Sequence, residues 1–489
     1  MRQILKAGLK TSSGTLGSLL LGAVTIKVMA VMLGPAGTGL YSLLRQIQQA
    51  CVSIGTVGGQ TALVQGMVSR EEGEARDSYL VTAFRLMLIA GGVMSLLLLL
   101  FAPTLASCVF GKHQPQSVSL VRWMVLPSLA GIALTLLTGV LNSYRAIGSM
   151  AVAQTVGASA MLAFVYPVAR LVRSDHPLAF IWMLCFGLLV TATFSFIRCY
   201  RAGWLRPLLQ QAGFGLRASA AKHFFSIGGT TLVTALMQTA TLLAVRSLVM
   251  RERGLAGAGV FDAAWTLSMM YVTLILTSFG TYYLPTLTSL PDSESRTRLI
   301  TQLMRLTVLL MVPMVISVIT LKPLVISILY SHKFTDSLTI MRWMLIGDYI
   351  KATSWVLGMS VLAFPNMRVF FWTELTWNAG FLGLSIASLK YFGSLSGLGT
   401  AFLVLYSLHF AYFLHYASSH HQVSVRSIMT SRWVLGLACV CIASWLNWSD
   451  TTVNWYKAPL IVSAGLLFSW TAVTHNERAQ LIRLVLRRT

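Results

Sequence analysis

The chain has 489 residues, 56% hydrophobic and only 10% charged, with a mean hydropathy of +0.72. A soluble domain carries about 25% charged residues, so a water-soluble fold is excluded. Apolar blocks of roughly 20 residues recur from end to end, each long enough to cross a ~30 Å hydrocarbon core as a helix. The alternation in segments of about 10 residues expected of a transmembrane barrel is absent. The expected class is an all-α polytopic membrane protein. Its net charge of +23, from 37 Lys and Arg against 14 Asp and Glu, therefore has to be read by position. No basic segment with interleaved aromatics forms a soluble module, so no nucleic-acid partner is expected.

Hydropathy and turn residues place about fourteen spans, at 14–33, 39–66, 80–102, 119–141, 150–171, 177–197, 223–250, 259–289, 300–321, 338–364, 367–389, 395–416, 430–447 and 457–474. The first is read as an uncleaved helix, because its apolar run is too long for a signal-peptide core and a second span follows at once. An even number of spans puts both termini on one side. That side, with the basic connection holding Arg198, Arg201, Arg206, Arg217 and Lys222, collects the larger share of Lys and Arg outside the spans. By the positive-inside rule both termini are cytoplasmic. The six cysteines lie in or beside apolar segments without CxxC or zinc spacing and read as small hydrophobes.

An internal repeat carries the most information. At an offset of 220 residues Gly34, Gly37, Gly39 and Tyr41 answer Gly254, Gly257, Gly259 and Phe261. Glu74 and Arg76 answer Glu294 and Arg296; Pro103 answers Pro323; Arg122-Trp123-Met124 answers Arg342-Trp343-Met344. Each half holds six spans and, six being even, the halves run parallel, related by a pseudo-two-fold axis along the membrane normal. The expected division is a six-helix bundle at 1–200, a basic cytoplasmic loop at 201–222, a second six-helix bundle at 223–420, and an accessory pair, spans thirteen and fourteen, with a basic cytoplasmic tail at 421–489. Parallel bundles meeting at a seam suit a carrier that opens to one membrane face and then the other. The Gly-rich segments at 34–39 and 254–259 lack the Lys-Ser/Thr ending of a phosphate loop and read as tight periplasmic turns.

Ionisable groups inside a span cost about 2.5 to 3.5 kcal/mol on insertion scales and need a reason. Lys27 and Arg45 flank the first turn at equal depth, and neither helix holds an acid to neutralise them. With Gln46 and Gln49 they form a candidate anion site, snorkelling to the interface being the alternative. Asp348 and Lys351, spaced i,i+3, are either a self-neutralising pair or a coupling and ligand-contact site. Glu374 stands without a sequence-local partner, as a protonatable switch would. Arg246 and Asp262 read as an ion pair near the second turn. Trp265, Tyr271, Tyr282 and Tyr283 read as interfacial aromatics or sugar-stacking rings. His409, His415, His420 and His421 read as polar decoration of a cytoplasmic edge, with a metal site as the alternative.

The turn Leu33-Gly34-Pro35-Ala36-Gly37, the run Tyr283-Leu284-Pro285-Thr286-Leu287, the segment Ser331-His332-Lys333-Phe334-Thr335 and the stretch Gly347-Asp348-Tyr349-Ile350-Lys351 resemble Wzx-type polysaccharide flippases. These include the lipid III and O-antigen flippases of the multidrug/oligosaccharidyl-lipid/polysaccharide (MOP) superfamily. The likeness runs over spans one to twelve and is strongest from about 279 to 375, Glu374 included. It implies a MATE-like fold in a bacterial inner membrane and a carrier, not an enzyme, for an undecaprenyl-diphosphate-linked oligosaccharide. It also implies that Lys27 and Arg45 hold the diphosphate; residues and resemblance together suggest that a carboxylate, Glu374 or Asp348, couples the cycle, while the residues alone put Lys351, Gln46 and Gln49 at the cavity. No cofactor is implied; an ion gradient or the membrane potential drives the cycle, and membrane lipids and the polysaccharide polymerase and assembly proteins are the expected surroundings. Two departures stand out: the accessory pair with the His-rich 409–421 stretch, and a lysine at 27, a point charge where an arginine fork would read phosphate bidentately. A MATE-type drug antiporter and a membrane polymerase or ligase are the alternatives. Uncompensated cations disfavour cationic cargo, and the short outer loops with no nucleophile constellation disfavour an enzyme.

Overall fold

The computed structural model describes residues 2–71, 73–111, 115–210, 216–290, 292–363, 367–421, 429, 431–449 and 451–472. The basic tail expected after the last span lies outside these residues, as do parts of the interbundle loop and the segment between spans twelve and thirteen. No strand occurs among the described residues, as the bilayer demands: with no water to satisfy backbone N–H and C=O groups, each span must close its own hydrogen bonds.

In chain order the helices are α1 (Arg2–Thr56), α2 (Gly59–Val68), α3 (Glu74–Leu100), α4 (Ala102–Phe110), α5 (Pro115–Trp123), α6 (Val125–Ser143), α7 (Ile147–Arg173), α8 (Ala179–Arg201), α9 (Arg206–Gln210), α10 (Ala218–Ser289), α11 (Ser293–Leu329), α12 (Ser337–Ala363), α13 (Met367–Tyr391) and α14 (Ser396–His421). Two more, Ser431–Leu446 and Lys457–Ala472, make up the accessory pair. Among the described residues eight helical stretches are long and apolar enough to cross a membrane. Two of these, Leu20–Val68 at 49 residues and Ala218–Thr277 at 60, are at least twice the ~20 residues of one crossing.

Those two stretches break where the repeat places glycine. Gly34 has φ 65°, ψ −169° and Gly254 φ 73°, ψ 177°, a left-handed φ that a Cβ would strain. The expected six-residue turns are thus single-residue kinks. Helix resumes at once, helped in the first copy by Pro35, whose fixed φ suits a first helical position. The two kinked segments also meet each other symmetrically. A Cβ on Gly39 would lie 2.0 Å from the carbonyl oxygen of Leu255, and a Cβ on Gly259 would lie 2.0 Å from that of Pro35. Leu255 is the repeat mate of Pro35, so each copy offers the other the same glycine and the same carbonyl.

By packing, the chain forms two compact units, Met1–Asp262 with Leu329–Ser331, and Ala263–Ile328 with His332–Thr489. In the first, α7 packs against both α1 and α8, α6 lies against α8, and α2 packs on α6. The core of this unit includes Leu43, Leu44, Leu63, Tyr79, Val140 and Phe180, all essentially inaccessible. The first part of α10 belongs to this unit and packs on α1 where Gly58 and Gly228 allow close backbone approach. In the second unit α12 packs chiefly against α14, with Gly347 against the ring of Phe402. The accessory pair closes on the same unit: Tyr349 donates to the carbonyl of Trp433 at 2.8 Å, and Ser469 to that of Leu309 at 2.6 Å. Leucines at 96, 97, 99 and 100 on α3 are exposed, as a face meeting acyl chains should be.

Candidate functional site

Arg45 lies in the apolar second part of α1, exposed, and the helix between the kink and Thr56 contains no acid. Among the described residues its guanidinium makes neither a hydrogen bond nor a salt bridge. One turn on, Gln49 is also exposed, and a turn further Ser53 is half-buried, its hydroxyl donating to the carbonyl of Gln49 at 2.9 Å. The spacing i, i+4, i+8 puts the three on one helical stripe. The stripe is polar and accessible within an otherwise apolar segment. Lys27 stands differently. It is half-buried, donates to the backbone carbonyl of Tyr330 at 2.6 Å, and has the exposed aliphatic residues Val24 and Val31 as its helix neighbours.

Gln46 is not on the accessible stripe. It is buried; its amide nitrogen donates to the carbonyl of Thr239 at 3.2 Å and its oxygen accepts from Arg246. Arg246 in turn donates to Asp262 at 2.6 Å. The ion pair expected from sequence is present, but it is buried, and Gln46 extends it into a bracket joining α1 to α10. A charge held this deep depends on its full set of partners, because an unmatched one is far costlier than the pair is favourable.

A second polar stripe, unremarked in the sequence reading, runs along the neighbouring part of α10. Ser226, Thr230 and Gln238 are exposed and Thr234 is half-buried, again four residues apart. The interval alone was a usable signal: four polar residues at helical period inside an apolar span.

In the second unit Asp348 is fully buried on α12 and held by two hydroxyl donors from α10: Ser268 to Oδ1 at 2.7 Å and Tyr271 to Oδ2 at 2.5 Å. Lys351 does not pair with it. Its ammonium lies 2.8 Å from the sulfur of Met269 and above the rings of Tyr406 and Phe402, at 5.5 and 5.6 Å. The i,i+3 spacing puts both on the face of α12 that meets α10, but each finds its own partner. Glu374 on α13 is half-buried and its carboxylate makes no hydrogen bond among the described residues; its backbone carbonyl accepts from Asn378 at 2.8 Å.

Of the four α10 aromatics singled out in the sequence, the three whose side chains are described are buried in the core. Trp265 is buried against Phe381 and Phe402, Tyr271 is bound to Asp348, and Tyr283 donates to the carbonyl of Val356 at 2.9 Å. The side chain of Tyr282 lies outside the described residues. His409, expected at a cytoplasmic edge, is part-buried between α13 and α14, its ring nitrogens 3.1 Å from the carbonyl of Thr373 and 3.2 Å from that of Leu405. The side chains of His420 and His421 lie outside the described residues. Among those described, no group of His, Cys, Asp and Glu is placed to hold a metal ion.

Comparison with known proteins places these features. The model of the family described as polysaccharide biosynthesis protein matches residues 28–339. The lipid III flippases of Escherichia coli (strain K12) and Shigella flexneri are each 24% identical over 375 residues, 76% of this chain and 88% of theirs. Among solved structures, the lipid II flippase MurJ in an inward closed conformation has a TM-score of 0.72 at 13% identity, covering 97% of this chain and all of that one. An inward-facing multidrug resistance MATE family transporter of the MOP superfamily has a TM-score of 0.66, also at 13% identity, over 83% of this chain and 96% of that one. These likenesses give the fold, the all-α membrane architecture of the MOP superfamily. Since the matched segment spans well over half the chain and includes Arg45 and the glycine kinks, the protein belongs to the polysaccharide biosynthesis protein family.

Proposed function

We propose that the chain is a flippase that carries an undecaprenyl-diphosphate-linked oligosaccharide from the cytoplasmic to the periplasmic leaflet of a bacterial inner membrane by alternating access. The observation that carries this reading is Arg45, a guanidinium exposed on a polar stripe of a membrane span with no acid on its helix. An accessible guanidinium with no acid on its helix is open to an anionic ligand, and it meets the oxygens of a diphosphate with two parallel donors. Lys27 adds a second positive charge from the other side of the kink; one of its three donors engages Tyr330, and the others remain for the substrate. The similarity to lipid III flippases over most of their length supports the same cargo class.

The energy source in this reading is an ion gradient or the membrane potential, with Asp348 as the group that binds and releases the ion or proton, and Lys351 and Glu374 setting its surroundings. Both termini are cytoplasmic, and membrane lipids together with polymerase or other assembly proteins are the neighbours. A drug antiporter fits less well, because Arg45 repels cationic cargo.

The test is transport of a fluorescent prenyl-diphosphate-linked oligosaccharide in proteoliposomes. Arg45→Ala is expected to reduce the rate at least tenfold, Arg45→Lys less, and the Lys27→Ala/Arg45→Ala pair to abolish it at unchanged protein level. Wild-type transport by the double variant refutes the anion site.

A further inference from the structure

Besides Arg45, the stripes on α1 and α10 bear four groups on facing rungs whose only charge-free chemistry is hydrogen bonding. The two helices run antiparallel: Gln46 reaches the carbonyl of Thr239, and twelve residues later Gly58 abuts the carbonyl of Gly228. That register sets Gln49 within about two residues of the level of Gln238, and Ser53 within about two of Thr234. Rungs four residues apart on both helices keep their polar groups on one accessible side. The result is a polar trough about 12 Å long from Arg45 to the Ser53 rung, at 1.5 Å per residue, ending where the helix breaks at Val57 and Gly58.

Its chemistry is specific. Neither helix contains an acid between residues 35 and 68 or between 218 and 250, so nothing in the trough selects a cation. The hydroxyls of Ser53, Thr230 and Thr234 donate to carbonyls of their own helices, at 2.9 Å to Gln49, 3.2 Å to Ser226, and 3.1 Å to Thr231. Outward they therefore present lone pairs, acceptors for a ligand's O–H groups. The amides of Gln49 and Gln238 make no hydrogen bond among the described residues, and each offers two donors and an acceptor. Alternating acceptor hydroxyls and bifunctional amides is the complement of a sugar, whose hydroxyls both donate and accept. An apolar ligand would leave these groups unpaired, at a cost greater than the bonds themselves contribute.

We infer that the Gln49–Gln238 and Ser53–Thr234 rungs are the glycan-reading site of this carrier, and that it takes an uncharged, hydroxyl-rich oligosaccharide laid along the trough from a phosphate held at Arg45. This rests on the flippase reading and adds to it the residues that read the sugar.

The experiment measures the affinity of the purified full-length protein for two probes, a prenyl diphosphate bearing a neutral trisaccharide and the same prenyl diphosphate bearing no sugar. Gln49→Ala/Gln238→Ala is expected to weaken the trisaccharide probe about tenfold or more, from two lost hydrogen bonds, and to leave the sugar-free probe at its wild-type affinity. Arg45→Ala is expected to weaken both. Equal losses for the two probes in a glutamine variant that unfolds at the wild-type temperature, or no loss for either, overturn the glycan site while leaving the flippase reading intact. Should the glutamine pair unfold the protein, Thr234→Val, which removes one hydroxyl at constant shape, decides by the same ratio of affinities, with a smaller expected change of about threefold. Failure of the wild-type protein to bind either probe removes the flippase reading, and the glycan site with it.

Discussion

Arg45 and Asp348 show two placements of an ionisable group in an apolar span. Arg45 lies on an accessible polar stripe. Asp348 is buried and depends on Ser268 and Tyr271, which supply one hydroxyl to each carboxylate oxygen. A carboxylate so held can change its protonation only if the donors rearrange, which is the property a coupling group needs. Asp348→Asn is therefore expected to keep the fold and the binding of a sugar-free prenyl diphosphate probe, and to uncouple transport from the imposed gradient. Transport by the asparagine variant with undiminished gradient dependence would remove Asp348 from the coupling step. The sequence marked both residues because intramembrane charges are rare. It could not tell that Gln46 is consumed by Arg246 and Thr239 whereas Gln49, three positions on, is accessible. Which face of a helix is covered depends on its neighbour, α10, nearly two hundred residues away.

At the level of elements, the duplicated glycines are the best-determined feature. Gly34 and Gly254 adopt the same left-handed φ, and Gly39 and Gly259 each meet the other copy's backbone carbonyl. Because that obstacle is backbone, a methyl group cannot be accommodated by a rotamer change, and overpacking of this kind costs about 1 to 3 kcal/mol. Gly39→Ala and Gly259→Ala are each expected to lower the unfolding temperature in detergent, by similar amounts because the contacts are equivalent. Gly22→Ala, with nothing within 4 Å of the added Cβ, is expected to leave it unchanged or raise it. A fall for Gly22→Ala as large as for the other two would show that the effect is not the inter-copy contact. Sequence located these glycines and read them as turns several residues long. The single-residue kink was not legible, because Pro and Gly signal a break in a helix without specifying how many residues the break takes.

For the whole molecule, membrane insertion and the repeat were legible from composition and self-similarity, while the distribution of Lys and Arg makes the side of the termini a prediction. Fusions of a reporter that fluoresces only in the cytoplasm, and of one that is active only in the periplasm, to each end of the chain are expected to give cytoplasmic signals at both. A periplasmic signal at one end would contradict an even number of spans, and at both ends the expected orientation. The sequence by itself thus determined the solvent, the helical class, the duplication and the few charges that needed explaining, because hydropathy, periodicity and glycine chemistry are local properties of the chain. Tertiary structure alone decided that Tyr271 donates to Asp348, that Arg246 and Gln46 form one buried bracket, and that Gln46 of α1 meets Thr239 of α10 while Gln49 stays accessible. Those outcomes depend on which helix face meets which partner, and in a bilayer, where lipid and core are equally apolar, hydropathy carries little information about that choice.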